Sequence, residues 1–362
     1  MKLDKVQISN FRNFKDLSFS PNSKLNVFIG ENGTGKSSIL EALHYLGFAR
    51  SFRTSKHKNV IKAGESEFTV FCSSIDVLQK QQRFGIFRSS EDVCIVNIDG
   101  VKSRRATDLV SCLPVQIFTP QSSDLLIGAP KLRRSYLDWL LFHVEHSFSV
   151  DAQNFKRSLK QLNALYRNQT VNSNYDYWID LFVAKGEWLT QVRTELLNER
   201  LIDAIKSNLA DFLPEFSFEI SYYRGWEKGL SLKEALEKNK EKDKKNGYVS
   251  SGPHKADLKI KSQGLAAQEL LSRGQLRMLV AALQLAQTQY LQQATAKTSI
   301  FLLDDIGAEL DREKRKVFIN KLSQSGSQLF VTAIDVKQLD FLNNYNEKTV
   351  FHVEHGQVKE EI

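Results

Sequence analysis

The stretch Gly30-Glu31-Asn32-Gly33-Thr34-Gly35-Lys36-Ser37 constrains this chain more than any other. It fits G-x-x-x-x-G-K-[ST]. The apolar run Leu25 to Ile29 precedes it, and Ile39, Leu40, Ala42, Leu43, Leu46 and Phe48 follow at helical spacing. A short buried strand, a glycine loop and a helix are expected in that order, which is the context the pattern requires. Glycines let backbone N–H groups converge on phosphate oxygens, and the start of the helix, Lys36-Ser37-Ser38, adds its partial positive charge. Lys36 is placed to reach the outer phosphates of ATP, and the Ser37 hydroxyl to ligate Mg2+. A glycine-rich turn without a ligand is the bland alternative.

A second signal is Ile300 to Leu303, a four-residue apolar strand ending in Asp304-Asp305. Such a pair beside a phosphate loop reads as a Walker B element: Asp304 holds the metal, and Asp305 orients or deprotonates the attacking water. The competing reading is two acids capping the next helix. A third signal separates classes. Leu271-Ser272-Arg273-Gly274-Gln275 opens an apolar helix and resembles the L-S-G-G-Q signature of ABC-type ATPases. In that superfamily the element meets ATP held by the other subunit, so Ser272, Arg273, Gly274 and Gln275 are expected to act in trans. A plain Ser N-cap is the alternative. Ala308-Glu309-Leu310-Asp311 looks like the D-loop, Gln121 is placed like the Q-loop glutamine, and Thr332 stands where ABC transporters usually carry His.

Composition excludes other classes. The 362 residues, 41% apolar and 25% charged, allow two or three folded domains. No window approaches the run of about 20 apolar residues that spans a bilayer, and the N-terminus lacks a signal-peptide core. A cytosolic protein without membrane partners is expected. Three cysteines, Cys72, Cys94 and Cys112, have no C-x-x-C spacing and read as buried thiols. The net charge of +8 makes an anionic partner plausible.

Along the chain, strand texture at Leu3, Val6 and Ile8, at Phe68 to Cys72, Val93 to Ile98 and Val115 to Phe118 gives way after Pro130 to helical spacing. From Tyr136 to Phe212 there is one Gly and no Pro, and the polar stretch Asn168 to Asn174 reads as the turn of a helical hairpin. Ser231 with Glu234 fits a capping box for a helix stopping at Gly247, so its lysine-rich end reads as a solvated face.

Taken together, the chain resembles the RecF family of bacterial recombination and repair ATPases, relatives of the SMC proteins, over essentially its full length. Four features carry the likeness: Ile8-Ser9-Asn10-Phe11-Arg12-Asn13-Phe14; Pro120 to Asp138, with Arg133-Arg134-Ser135-Tyr136-Leu137-Asp138; Gly252-Pro253-His254-Lys255-Ala256-Asp257; and Asp304 through Asp311. Gln121 departs from the acidic residue usual after that proline. The resemblance implies an α/β fold: an ABC-type P-loop ATPase head built from residues 1–130 and 215–362, with an inserted α-helical arm over 131–214. It implies a weak ATPase that uses ATP and Mg2+, dimerises on ATP and binds single-stranded, double-stranded or gapped DNA. It also implies work with RecO and RecR to load RecA on SSB-coated DNA, in support of replication restart and SOS induction.

Arg50, Arg53, Lys56, Lys58 and Lys62 occur without an intervening acid and are the candidate DNA contacts. Lys80, Arg83, Arg88, Lys102, Arg104 and Arg105 fall on neighbouring strand-rich segments. Ordinary solvated charge is the competing reading. His143-Val-Glu-His146 and His352-Val-Glu-His355 tempt a metal reading, but only the first falls on a helical segment, where residues three apart share a face. His254 and Lys255 read as a structural turn before a strand. A transporter subunit or a small-molecule kinase remain as other classes, and the signature-like segment is unexplained in the kinase.

Overall fold

The computed structural model describes residues 2–75, 80–168, 175–335, 339, 345, 347–354 and 356–361. The chain divides into two compact units, residues 1–122 with 288–362 and residues 123–287. Fifteen strands occur among the described residues: β1 Lys2–Phe11, β2 Phe14–Phe19, β3 Leu25–Ile29, β4 Glu67–Ile75, β5 Gln81–Ser89, β6 Cys94–Ile98, β7 Val101–Ser103, β8 Val115–Phe118, β9 Phe218–Tyr223, β10 Asp257–Ser262, β11 Leu265–Ala266, β12 Ile300–Leu303, β13 Gln328–Ala333, β14 Lys348–Glu354 and β15 Gln357–Glu361.

The first unit holds two six-stranded sheets. One runs β15-β14-β3-β13-β12-β8, parallel throughout except for β15. Every residue of β3, β12 and β13 is buried, which is why these strands read as apolar runs without alternation. Registers such as Val331↔Val27 and Leu303↔Val331 bring their carboxyl ends side by side, where open parallel sheets bind ligands. The second sheet, β2-β1-β4-β5-β6-β7, is antiparallel and buries one face. Its β1 has a bulge between Leu3 and Lys5, which accounts for the imperfect alternation of Leu3, Val6 and Ile8.

One buried cluster joins Val6, Ile8 and Phe11 of β1 to Ile39, Leu43 and Leu46 of the helix Lys36–Phe48 and to Phe28, Phe330 and Phe351 of the parallel sheet. Phe28 stacks on Phe351 at 5.2 Å. Burial of this helix, rather than intrinsic propensity, therefore holds the loop before it in place.

The second unit contains the helices Pro130–Val144, Phe148–Asn168, Tyr175–Glu195, Ile202–Phe212 and Leu232–Asn246 and a three-stranded sheet, β11-β10-β9. The unbroken helical texture from Tyr136 hides an interruption at residues 145–147. There Glu145 turns extended, and the Ser147 carbonyl starts the next helix by accepting from Val150 and Asp151. Of the expected turn, residues 169–174 lie outside the described residues. The Ser231–Glu234 capping box and the left-handed Gly247 stop are both formed. This unit takes in more than residues 131–214: a hydrogen bond from Arg193 and an ion pair of Arg133 reach beyond that range. Arg193, nearly fully buried, meets both oxygens of Asp138 at 2.7 and 2.8 Å and the Pro253 carbonyl at 3.0 Å. Arg133 meets both oxygens of Asp257 at 2.7 and 3.2 Å. Two of the segments quoted for the family likeness thus hold each other, and Pro253–Lys255 is a 3-10 turn leading into β10.

Candidate nucleotide-binding site

Between β3 and the helix Lys36–Phe48, the loop folds on its own atoms. Thr34 Oγ1 donates to the Glu31 carbonyl at 2.9 Å, and Lys36 Nζ donates to the carbonyls of Gly30 and Glu31 at 2.6 and 2.8 Å. Gly35 adopts φ 116°, and a Cβ there would lie 2.6 Å from Asn13 Nδ2 and 2.7 Å from Phe14 Cζ, so only glycine fits. Asn13 Nδ2 in turn donates to the Thr34 carbonyl at 3.0 Å. A cavity of about 540 Å³ opens over this loop, lined by Asn32, Gly33, Gly35, Lys36, Ser37 and Ser38.

Its opposite wall is Asp304, Asp305 and Thr332, at the ends of β12 and β13. Ser37 Oγ donates to Asp304 Oδ1 at 2.8 Å, and Thr332 Oγ1 donates to the same oxygen at 2.8 Å. Thr332 Oγ1 also accepts from the Asp305 backbone at 2.9 Å, which steadies Asp305 at a left-handed φ of 52°. Burial, then the Asp304 charge, raises the Asp305 pKa, with Lys36 opposing. Burial lowers that of Lys36, against the two aspartates. The Ser37 hydroxyl and the Asp304 carboxylate form a pair of hard oxygen donors beside the loop, the chemistry that suits Mg2+.

Three polar wall residues were not singled out for this site from the sequence: Arg12, Asn13 and Arg53. Arg12 and Asn13 lie in the opening segment quoted for the family likeness; nothing local ties them to a loop 17 or more residues away. Arg53 belongs to the basic segment assigned to DNA. Arg53 is exposed like Lys56 and Lys58, but it lies 3.8 Å from the buried Glu41 and lines the cavity, which neither lysine does. Lys62 Nζ donates to the Asn13 carbonyl at 3.0 Å, and Arg50 is exposed.

Other expected residues lie elsewhere. Gln121 is exposed on a 3-10 turn and does not line the cavity. Asp311 N-caps the helix Arg312–Gln324, accepting from Lys314 N at 3.0 Å. In the second unit, Ser272, Arg273 and Gly274 are exposed. Ser272 and Gln275 form a reciprocal capping box: Gln275 N donates to Ser272 Oγ at 3.3 Å and Ser272 N to Gln275 Oε1 at 2.9 Å. The capping reading and the signature reading therefore fall on the same atoms. The helix carrying His143 ends at Val144, so His143 and His146 do not share its face. His352 lies in β14, and His355 is outside the described residues. No helix of the described residues is long and apolar enough to cross a membrane.

Known proteins match this arrangement. The sequence model described as RecF/RecN/SMC N terminal domain matches residues 2–359. The DNA replication and repair protein RecF of Pseudoalteromonas atlantica is 60% identical over 364 residues, spanning 100% of both chains. Its namesake from Shewanella sediminis is 40% identical over 359 residues, spanning 99% of each. A solved structure described as the recombination mediator protein RecF-ATP in the RecFOR pathway shares the fold, with a TM-score of 0.89 at 24% identity over 100% of this chain and 98% of that one. The two sheets and the loop-to-helix junction are those of an SMC/RecF ABC-type ATPase head. The chain belongs to the RecF/RecN/SMC N terminal domain family and, within it, to the RecF proteins.

Proposed function

We propose that the chain is an ATP-switched DNA-binding protein of recombinational repair. The observation that carries this is the convergence of Ser37 and Thr332 on one oxygen of Asp304, beside Lys36 and below the glycine loop. Loop amides and Lys36 hold the β- and γ-phosphates of ATP; Ser37 and Asp304 would hold Mg2+, which would supply charge neutralisation to the phosphates. Asp305 accepts a proton from the water that attacks the γ-phosphorus as the bond to the bridging oxygen breaks. Its raised pKa makes it a better acceptor than an ordinary carboxylate. Arg12 and Arg53 add positive charge at the cavity wall.

Ser272 and Gly274 complete the site from a second copy, with Asp311 of the D-loop near the shared interface. ATP then favours the dimer, and slow hydrolysis releases it. Residues 1–130 and 215–362 act as head and 131–214 as arm. The exposed Arg50, Lys56 and Lys58 contribute to a sequence-independent DNA surface. The names of the relatives, and the RecFOR pathway named for the solved structure, support a cytoplasmic role with RecO and RecR in loading RecA on gapped, SSB-coated DNA. A DNA gel shift with and without ATP and magnesium tests the reading: ATP-dependent retardation is expected, and equal mobility in both lanes overturns the switch.

A further inference from the structure

A glycine stands in the middle of β5 with no structural reason to be there. Gly85 does not adopt a positive φ, and the registers of β5 with β4 and with β6 run without a bulge. A Cβ at Gly85 would meet only ordinary contacts: Phe71 Cδ2 and the Val70 carbonyl at 3.8 Å, and Asn97 Cβ at 4.0 Å. Glycine inside a strand weakens it, and when bulge and bend are absent the remaining use is close approach by a ligand or another backbone.

The surroundings point to the ligand. Val70, Phe84, Ile86 and Val96 face the core, so the alternate residues face outward. Pairing places Phe71 opposite Gly85 and Gly85 opposite Asn97, with Thr69 opposite Phe87 and Phe87 opposite Ile95. A hollow of about 530 Å³ lies over Gly85, with Phe71, Phe87 and Ile95 half-buried in its floor. The volume is within the range of about 300–1,000 Å³ typical of ligand sites. Neither phenylalanine is paired with another ring among the described residues.

Arg83 and Lys102 stand at the rim, exposed and with side chains in no ion pair among the described residues; the Asp99 carboxylate accepts from the Arg83 backbone N–H at 2.7 Å but does not line the hollow. Their neighbours differ: Arg88 is paired with Asp92 and Arg105 with Asp108. Asn97 Oδ1 accepts from Gly100 N at 2.8 Å, so its amide N–H groups are what it offers a ligand.

We propose that this face is a stacking site for unpaired nucleobases of single-stranded DNA. Bases lie over Gly85 against Phe71 and Phe87, Arg83 and Lys102 meet the flanking phosphates, and Asn97 donates to base acceptors. A sheet face bearing aromatic side chains and a cationic rim is how single strands are held without reading sequence. A duplex keeps its bases stacked inside and cannot use the two rings. The proposal rests on the DNA-binding reading above and adds a second, strand-selective surface to it.

The test is fluorescence anisotropy with labelled oligothymidine and with a blunt duplex of equal length, with ATP and magnesium present. Gly85→Val suits a strand and fills the hollow. It is expected to weaken oligothymidine binding roughly tenfold or more, the scale of losing one stacked base, while leaving duplex affinity and thermal unfolding unchanged. Unchanged oligothymidine affinity, or an equal loss for duplex, overturns the proposal. Wild-type protein that binds duplex but not oligothymidine sinks this site and leaves the DNA reading standing; binding to neither sinks both. Should Gly85→Val fail to fold, photocrosslinking of a 4-thiothymidine oligonucleotide to the wild type decides. Adducts are expected within residues 67–75 and 81–102, and adducts confined elsewhere overturn the site.

Discussion

Arg12 grips Glu41 with both ends of its guanidinium: Nε meets Oε2 at 2.8 Å and Nη2 meets Oε1 at 2.6 Å. Glu41 has no exposed surface, and its carboxylate also takes a hydrogen bond from Ser51 and faces Arg53 at 3.8 Å. Because Glu41 lies on the phosphate-loop helix and both arginines line the nucleotide cavity, one buried carboxylate positions two cations for a bound anion.

Glu41→Ala is therefore expected to cost about 1.5–3 kcal/mol, the scale of losing hydrogen bonds to a charged group, because the partly exposed Arg12 left behind can be hydrated. Urea unfolding checks it: the midpoint falls with the slope unchanged. A shift below about 1 kcal/mol, the scale of exposed pairs, counts against the clamp.

Lys36→Ala should abolish ATP binding, since it removes the ammonium over the loop carbonyls. Asp304→Asn should retain nucleotide but lose its magnesium dependence. Equilibrium binding of a fluorescent ATP analogue, with and without magnesium, separates the two. Wild-type affinity in Lys36→Ala would remove the loop from the site.

The basic segment after the first helix divides into two behaviours. Lys56→Glu with Lys58→Glu should weaken DNA binding and reduce its salt slope by about two phosphate contacts, with ATP binding intact. Arg53→Glu should instead weaken ATP binding, because it places a carboxylate beside Glu41 and in the phosphate cavity. The reverse pattern in paired ATP and DNA titrations would reassign Arg53 to the DNA surface.

That division marks where sequence reading stopped. The loop Gly30 to Ser37, the strand before Asp304 and the box at Ser231 were legible because their physics is local: spacing, caps and glycine conformations lie within a few residues. Arg12 reaches Glu41 across 29 positions and Arg53 enters a cavity floored by Asp304, contacts that only the pairing of the strands creates. The break at Glu145 has no Gly or Pro to announce it. Nothing in the local sequence sets Gly85 apart; its setting is created by its neighbours across β4 and β6.

Acid should destabilise the fold through two histidines. Burial pushes His44 down to about 3 and His254 down to about 4, from an ordinary 6.5. His44 stacks on Phe48 at 4.2 Å and donates from Nδ1 to the Arg50 carbonyl at 2.9 Å. Both are neutral when folded and take up a proton when unfolded below pH 6.5. Their stabilisation is complete above 6.5 and is lost as pH falls towards 4 and then 3, by up to about 1.4 kcal/mol per pH unit for each. His44→Gln should flatten the profile of unfolding free energy between pH 6.5 and 4. An unchanged slope would show that His44 does not titrate this way.

The last prediction concerns the second copy. Ser272 and Gly274 are exposed at the start of a helix of 23 residues, and the Ser272 oxygen already caps that helix by accepting from Gln275 N. Its hydroxyl proton is still free to donate, so capping and phosphate binding are compatible in one side chain. If the γ-phosphate held by Lys36 in one copy is met by Ser272 and Gly274 of the other, ATP binding and dimerisation are linked, and each strengthens the other by the same factor. Ser272→Arg removes the cap, at a cost of about 1 kcal/mol, and puts a bulky side chain where the partner's phosphate must sit. It should remain folded and bind ATP as a monomer, while the wild type dimerises with ATP and magnesium. Asp305→Asn should prolong the wild-type dimer, because the proton acceptor is gone and the bridging phosphate persists. Light scattering behind a sizing column reads all three proteins; a Ser272→Arg chain that dimerises with ATP as the wild type does would place the shared site elsewhere.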